Sequence, residues 1–381
     1  MEHSDELSPK TNVALIVGVT GMAGISLAEA LKSPEALGGP WTVYGTARQQ
    51  KPTWFPSSAT IDHFISFDAL SFEDTLQKLS PISQHVTRLF WVAIQVRDTE
   101  ESNIKANSVM LQNVLRVLNS SKNSSKLRHV TLQSGTKRYM GPIFDPTLGV
   151  TKLAHPDPPF EEDAARLPYP NFYYALEDIV AEKGHSFTYS VHRASIILGA
   201  SARSFYNMLV TLCVYASICG HENLPFRYPG TKYTWEHLCD ATDARVLAQQ
   251  HIWAAVTDKA KNQAYNCTNG DVFTWKSMWK VLAEIFGLEF VSFEEEEYLD
   301  WVEMMKGKES VWEEIVERHG LNKTKMEEIT CFEAANTVLH FEFQYVCSVN
   351  KSREYGFFGY ANTLKSVSMW VGRLRDMKII P

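Results

Sequence analysis

The chain has 381 residues, of which 21% are charged and 45% hydrophobic, with a formal net charge of -7. That length supports a large core and more than one minimal domain, and the acidic balance excludes the clustered Lys and Arg of a nucleic-acid surface. No run approaches the roughly 18 apolar residues of a membrane span.

The polar, acidic opening "MEHSDELSPKTN" carries neither a secretory nor an organellar signal. It reads as a short disordered tail over residues 1–11, and a cytoplasmic location is expected. "VALIVG" (Val13–Gly18) follows as a continuous apolar strand, buried on both faces. Gly24–Leu31 reads as a helix, Trp41–Arg48 as the second strand, His63–Asp68 as the third and Leu89–Ala93 as the fourth. A long helix then carries Leu111, Val114, Leu115 and Leu118 at i, i+3, i+4 and i+7. Leu127–Ser134 is the fifth strand and Phe187–Arg193 the sixth, with a helix opening at "NFYYALED" between them. Such alternation predicts an α/β fold with a Rossmann-type, doubly wound parallel sheet.

From Gly199 the pattern loosens. "FYNMLVTLCVYASICGHE" reads as helix, "LPFRYPG" as loop or strand and "DATDARVLAQQHIWAAV" as helix. "AYNCTNGDVFTWKSMWKVLAEIFG" reads as strand, turn and helix. The acidic run Glu294–Glu297 suits a solvated face. Aromatic residues crowd the stretch from Trp301 to Tyr360, as in a small apolar subdomain over a pocket. The expected division is a nucleotide-binding core over residues 12–200, with contributions from about 240–275, and a smaller, mainly helical C-terminal substrate-binding subdomain over 201–239 and 276–381. The six cysteines lack any C-x-x-C pair, so reduced, buried thiols and no metal site are expected.

Gly18, Gly21 and Gly24 are spaced G-x-x-G-x-x-G between the first strand and the first helix. Glycines there permit a tight turn and let backbone N–H groups approach a pyrophosphate at the helix N-terminus. The second strand ends Ala47-Arg48-Gln49. An acidic residue at that point would hold the ribose 2′-hydroxyl of NAD, whereas an arginine accommodates a 2′-phosphate, so NADP is the expected cofactor. Asp68 closes the third strand, where a carboxylate can accept from the adenine amino group or cap the next turn.

"NFYYALED" sets two tyrosines at the start of a helix, with Glu177 four residues after Tyr173 and Asp178 four after Tyr174. Short-chain dehydrogenases normally place a lysine at that spacing, on the tyrosine's own helix face. Either the tyrosine is not catalytic or its lysine comes from elsewhere. "LQSGTKRYMGP" after the fifth strand offers one, because Ser134 and Lys137 emerge on the sheet edge where chemistry belongs. Lys137 is expected to hold the nicotinamide ribose and to stabilise a Tyr173 phenolate electrostatically, by roughly three pH units. From the aromatic stretches, Trp91, Phe343 and Tyr345 are candidates for the substrate pocket, with Met140 on the lysine loop.

Together with "VALIVGVTG", "GGPWTVYG", "SVHR", "TLCVYASIC", "HIWAAV", "NGDVFTWK" and "VWEEIV", these stretches resemble the plant progesterone 5β-reductase and iridoid synthase family, divergent extended short-chain dehydrogenase/reductases, from about Thr11 to Pro381. The resemblance implies that Tyr173 and Lys137 form the catalytic pair. It also implies NADP(H) contacts from Thr20, Gly21, Met22, Arg48, Asp68, Ala69, Ala93, Gln133, Tyr173, Ile197, Ser204, Phe205 and Tyr206. Departures are visible. Gln49 stands where the family usually has a second arginine, Ile94 where it often has tryptophan, and "HRAS" (His192–Ser195) where it has "HRPG". The last two border the expected substrate pocket.

The implied activity is NADPH-dependent reduction of the C=C of an α,β-unsaturated carbonyl: a steroid, a monoterpene dialdehyde or a small enone. A carbonyl reductase and a non-catalytic NADP-binding sensor are the alternatives. The partner expected is a small apolar carbonyl compound, with neither nucleic acid nor membrane. A homodimer is expected through the helices around Asn107–Leu118 and Asn171–Glu182.

Overall fold

The computed structural model describes residues 12–120, 125–144, 157–184, 186–294 and 299–381. The expected tail and residues 295–297 of the acidic run lie outside them, and Glu294 is exposed. In chain order the first half runs β1 (Asn12–Val17), α1 (Met22–Lys32), β2 (Trp41–Ala47), β3 (His63–Ser66), α2 (Phe72–Leu79), β4 (Arg88–Trp91), α3 (Glu100–Leu118), β5 (His129–Gly135), α4 (Phe172–Glu182) and β6 (Thr188–Ala194). Then come β7 (Ile196–Leu198), α5 (Met208–Glu222), α6 (Lys232–Glu236), β8 (Leu238–Cys239), β9 (Ala241–Asp243), α7 (Ala244–Val256), β10 (Gln263–Cys267), β11 (Phe273–Thr274) and α8 (Trp275–Phe286). Six further helices end the chain: α9 (Trp301–Met305), α10 (Glu309–His319), α11 (Met326–Ile329), α12 (Phe332–Leu339), α13 (Asn350–Glu354) and α14 (Thr363–Asp376).

Seven strands form one sheet in the order β10-β6-β5-β4-β1-β2-β3, every neighbouring pair parallel. The order reverses at β1 and β4, so a crevice opens above their carboxyl ends. Strand alternation divides the apolar side chains between the faces. Ala14 and Ile16 of β1 join a core that runs on into Trp301, Trp312 and Trp370 of the C-terminal helices. Leu15 and Val17 face the other way, onto Leu111, Val114 and Leu115 of α3 and Leu176 of α4. The C-terminal helices therefore share a core with one face of the sheet.

Local signals set the helix starts. Ser71, Thr99, Asn171 and Asp243 each cap a helix by accepting a backbone N–H on their side-chain oxygen. The helix read from Asp240 begins only at Ala244, because Ala241–Asp243 pair with β7 and Asp243 is the cap. Helix α1 starts two residues before the expected position, at Met22. Among the described residues, no helix is long and apolar enough to cross a membrane, and no group of His, Cys, Asp or Glu could hold a metal ion.

Candidate active site

A cavity of about 940 Å³ occupies the crevice above β1 and β4, roofed by α11 and α12 and the Phe341–Tyr345 segment. At its nucleotide end the turn after β1 is shaped by two glycines. Gly18 has φ +101, and a Cβ there would lie 2.9 Å from the Ala93 nitrogen. A Cβ on Gly24 would come within 2.2 Å of the Gly18 carbonyl oxygen, so Gly24 does not line the cavity but lets α1 close against the turn. The loop after β7 folds over this turn: the Ser204 hydroxyl accepts from the Met22 N–H at 3.0 Å, and the Ser201 hydroxyl donates to the Thr20 carbonyl at 2.8 Å.

Beside the turn, Thr20, Gly21, Met22, Arg48, Gln49, Asp68, Ala69, Ala93, Gln133, Ser134, Ile197, Ser204, Phe205 and Tyr206 all line the same cavity, as does Gly18. Asp68 also serves its capping role, accepting the Leu70 N–H at 3.0 Å. Gln133 Oε1 and Ser134 Oγ are buried without a hydrogen-bond partner among the described residues. Such orphans suit a polar ligand laid along the crevice. Together with the glycine turn and the uncompensated Arg48 they fit a phosphorylated dinucleotide.

The lysine missing from α4 arrives from the turn after β5. Both Lys137 and Tyr173 line the cavity, with the Lys137 ammonium 5.9 Å from the centre of the Tyr173 ring and 4.4 Å from that of Phe172. At the helix position where a lysine would stand, Glu177 instead forms a buried, two-pronged pair with Arg193 (3.1 and 3.0 Å) and approaches Arg138 at 3.7 Å. The helix face is thus committed to an ion-pair network. Tyr174 is a structural residue: its hydroxyl donates to the Arg138 carbonyl at 2.8 Å and accepts from the Leu167 N–H at 3.0 Å.

The electrostatics differ from expectation. Lys137 donates to both oxygens of Glu100 at 2.6 Å, and one of these also accepts the Phe172 N–H at 2.7 Å. Burial lowers the lysine pKa, and Glu100 opposes that, so the pair enters the cavity wall as a near-neutral unit. Burial raises the Tyr173 phenol pKa, and both Tyr206 and Glu100 push it further the same way. With its charge taken up by Glu100, Lys137 does not offset this rise. The Tyr173 hydroxyl, raised in pKa by burial, faces the cavity as a hydrogen-bond donor.

At the substrate end, Ile94, Met140 and Tyr345 line the cavity as expected, but Trp91 and Phe343 do not. Trp91 is the inward residue on the α3 side of β4, fully buried with Val17, Leu111 and Leu132. Phe343 packs against Phe160 and stacks at 4.7 Å on Phe341, which lines the wall in its place. Thr136 and Tyr345 share a hydrogen bond beside Ser195, whose hydroxyl donates at 2.5 Å to the buried carboxyl of Asp240. Glu100, Thr136, Asp240 and Phe341 were not singled out from the sequence. No motif marks them, since Glu100, Thr136 and Asp240 acquire their roles from partners dozens of residues away and Phe341 is one of several aromatics in its stretch.

Among the described residues Asp240 has no cation to compensate its burial, and its pKa is pushed up to about 7 by burial, with bonds from Ser195 and Cys347 opposing. Its folded value thus exceeds the unfolded one of about 4. The stabilising contribution is complete below the unfolded value and is lost as pH rises through 7. Asp240→Asn is expected to flatten the decline in Tm between about pH 4 and 7. Parallel Tm–pH curves for variant and wild type would contradict this.

Comparison with known proteins agrees with the geometry. A family model described as a PRISE-like Rossmann-fold domain matches residues 51–381. The chain belongs to this family. It is 46% identical over 376 residues to a 3-oxo-Delta(4,5)-steroid 5-beta-reductase of Arabidopsis thaliana, covering 97% of this chain and 93% of that protein. It is 44% identical over 373 residues to an (S)-8-oxocitronellyl enol synthase of Catharanthus roseus, covering 97% and 92%. Among solved structures, UDP-glucose 4-epimerase of Thermotoga maritima aligns with TM-score 0.64 at 13% identity, over 96% of this chain and 99% of that one. RMD of Pseudomonas aeruginosa complexed with NADPH aligns with TM-score 0.60 at 11% identity, over 97% and 98%. The two solved structures share the fold. As a PRISE-like protein the chain carries its Rossmann sheet together with the helical roof that distinguishes it from a bare nucleotide-binding domain.

Proposed function

We propose that this protein is an NADPH-dependent enone reductase that adds hydride to the β-carbon of an α,β-unsaturated carbonyl compound. The observation that carries the reading is the Tyr173 hydroxyl, which lines the cavity without a hydrogen-bond partner among the described residues, beside a lysine paired with Glu100. Such a phenol is suited to donating a hydrogen bond to an oxygen that gains charge, and that interaction strengthens as the charge develops. NADPH, when bound, supplies the hydride. Tyr173 holds the carbonyl oxygen and stabilises the enolate, whose α-carbon then takes a proton from solvent; Lys137 supports the cofactor side of the site, and Met140, Phe341 and Ile94 line the wall against an apolar substrate. The named activities of the two relatives, a steroid 5-beta-reductase and an enol synthase, belong to the same chemical class.

A panel of steroid, terpenoid and small enones with NADPH tests this, with products identified by mass spectrometry. The expected product is the saturated carbonyl with its C=O retained. Exclusive formation of allylic alcohol would replace the reading with a carbonyl reductase.

NADPH is expected to bind more than tenfold tighter than NADH, because Arg48 has no carboxylate partner among the described residues and a charge-assisted contact to phosphate contributes about 1.5–3 kcal/mol. Arg48→Ala should narrow the gap without abolishing NADPH binding. Equal dissociation constants for the two cofactors in wild type, by fluorescence titration, would refute the assignment.

In this reading residues 12–200 with about 240–275 bind the cofactor, and 201–239 with 276–381 shape the substrate pocket, although the loop at 201–206 crosses to the cofactor side. The protein works in the cytoplasm on a small apolar carbonyl compound. A homodimer would pair the outward faces of α3 and α4, where the exposed side chains are polar (Lys105, Gln112, Arg116, Asp178, Glu182) and the apolar ones face inward. Light scattering at micromolar concentration tests this, and a monomer mass ends it.

A further inference from the structure

Cations lining the cavity fall into two groups. Lys137 is neutralised by Glu100, and Lys323 is exposed at the roof, whose lining also includes Glu327 and Glu328. Arg48 and Arg203 have no carboxylate within ion-pair distance among the described residues. They come from different segments, the end of β2 and the loop after β7, yet they meet on one wall. The Arg203 Nη1 donates to the Gln50 carbonyl at 2.8 Å, so its guanidinium reaches across to the stretch that follows Arg48 and Gln49. Its aim is fixed from behind, because the Arg203 N–H donates at 2.8 Å to the Ser201 hydroxyl, which is itself bound to the Thr20 carbonyl. The ring of Trp54 lies 5.9 Å from the guanidinium carbon.

Arg48 is exposed and Arg203 half-buried, and two uncompensated guanidiniums lining one cavity make a natural seat for an anion. Burial alone perturbs Arg203, with no acidic group offsetting it. Which anion follows from position. The diphosphate of a dinucleotide belongs at the N-terminus of α1, and the adenosine ribose beyond the end of β2. Arg203 is tied to the β2 side.

We propose that Arg203 supplies the second guanidinium of the 2′-phosphate seat of NADPH, acting with Arg48 from the opposite side and doing the work that a basic residue at position 49 would otherwise do. Guanidiniums suit this task because their planar forks bind phosphate with two parallel hydrogen bonds. The inference rests on NADPH as the cofactor but not on the enone chemistry, so a failed product analysis leaves it standing.

The test is binding, without turnover. NADPH and NADH are titrated by fluorescence against wild type, Arg203→Ala, Arg203→Gln and the Arg48→Ala/Arg203→Ala pair, and adenosine 2′,5′-bisphosphate is compared with 5′-AMP as a displacing ligand. Arg203→Ala and Arg203→Gln should weaken NADPH and the bisphosphate by about ten- to a hundredfold, the range of one charge-assisted contact. NADH and AMP should stay within about twofold, and the double variant should lose the NADPH preference. The Gln variant guards against misfolding, since its amide can still donate to the Gln50 carbonyl. Equal weakening of NADPH and NADH would move Arg203 to the diphosphate and overturn the proposal. Unchanged affinity for NADPH would overturn it too.

Discussion

Replacing Tyr173 by Phe is expected to lower kcat by about 10²–10³, the usual effect of removing one donor to a developing oxyanion, with little loss of stability. Among the described residues the Tyr173 hydroxyl has no hydrogen-bond partner, so deleting it strands no buried group. The site it leaves is tight, since a Cβ on Gly135 would come 3.1 Å from that hydroxyl. Tyr174 gives the contrast. Its hydroxyl ties the α4 start to two backbone groups, so Tyr174→Phe should keep its turnover while losing about 1–3 kcal/mol of stability. If Tyr174→Phe were inactive and Tyr173→Phe normal, the catalytic tyrosine would have been misassigned by one residue.

The second large effect concerns the lysine. Lys137→Met is expected to destabilise the protein by about 3–5 kcal/mol, because it leaves the Glu100 carboxylate buried and uncompensated. Glu100 also accepts the first N–H of α4, so the stranded charge sits where three elements meet: the start of α3, the turn after β5 and the start of α4. The double variant Glu100→Gln/Lys137→Met should recover most of the loss, since a neutral amide can still accept from Phe172 and carries no charge to strand. Urea denaturation of the two single variants and the double reads this directly. A Lys137→Met protein as stable as wild type would show that the pair contributes nothing. The double variant also separates roles: restored stability with turnover still low would assign Lys137 to the cofactor, whereas restored turnover would remove it from the mechanism.

Much of the nucleotide half was legible in the sequence. Its strands are apolar runs bounded by turn residues, and parallel strands buried on both faces leave that pattern. Helix α2 escapes the sequence reading although Phe72, Leu76 and Leu79 fall at i, i+4 and i+7 behind a Ser71 cap, because three apolar residues over two turns make a short signal. The expectation that Tyr173 and Lys137 form the catalytic pair rests on a resemblance, which says nothing of the Glu100 carboxylate beside the lysine. "DTEESN" looks like an ordinary acidic helix start, and only folding sets Glu100 against Lys137 across 37 residues of chain. Trp91 and Phe343 were chosen as aromatics near the right place, but which face of a strand or layer they occupy depends on register that composition does not reveal. Asp240 sits in "LCDATDAR", a stretch with no signal for a buried, uncompensated carboxyl.

The way the roof is stitched to the sheet imposes an order on the polypeptide's emergence from the ribosome. The backbone at Phe160 donates to the Val346 carbonyl and accepts from the Ser348 N–H, and Asn266 binds the carbonyls of both Phe160 and Ser348 through one amide. The parallel sheet is complete once Cys267 has left the exit tunnel, but its substrate wall cannot be closed until more than eighty further residues have followed. At roughly 5–20 residues per second, the nascent chain spends several seconds with a finished sheet and an unroofed, apolar crevice. A growing chain in that state is exposed to chaperones and to neighbouring nascent chains, and a stop codon falling after the sheet but before Tyr345 would leave a domain with its cofactor turn formed and its substrate wall missing.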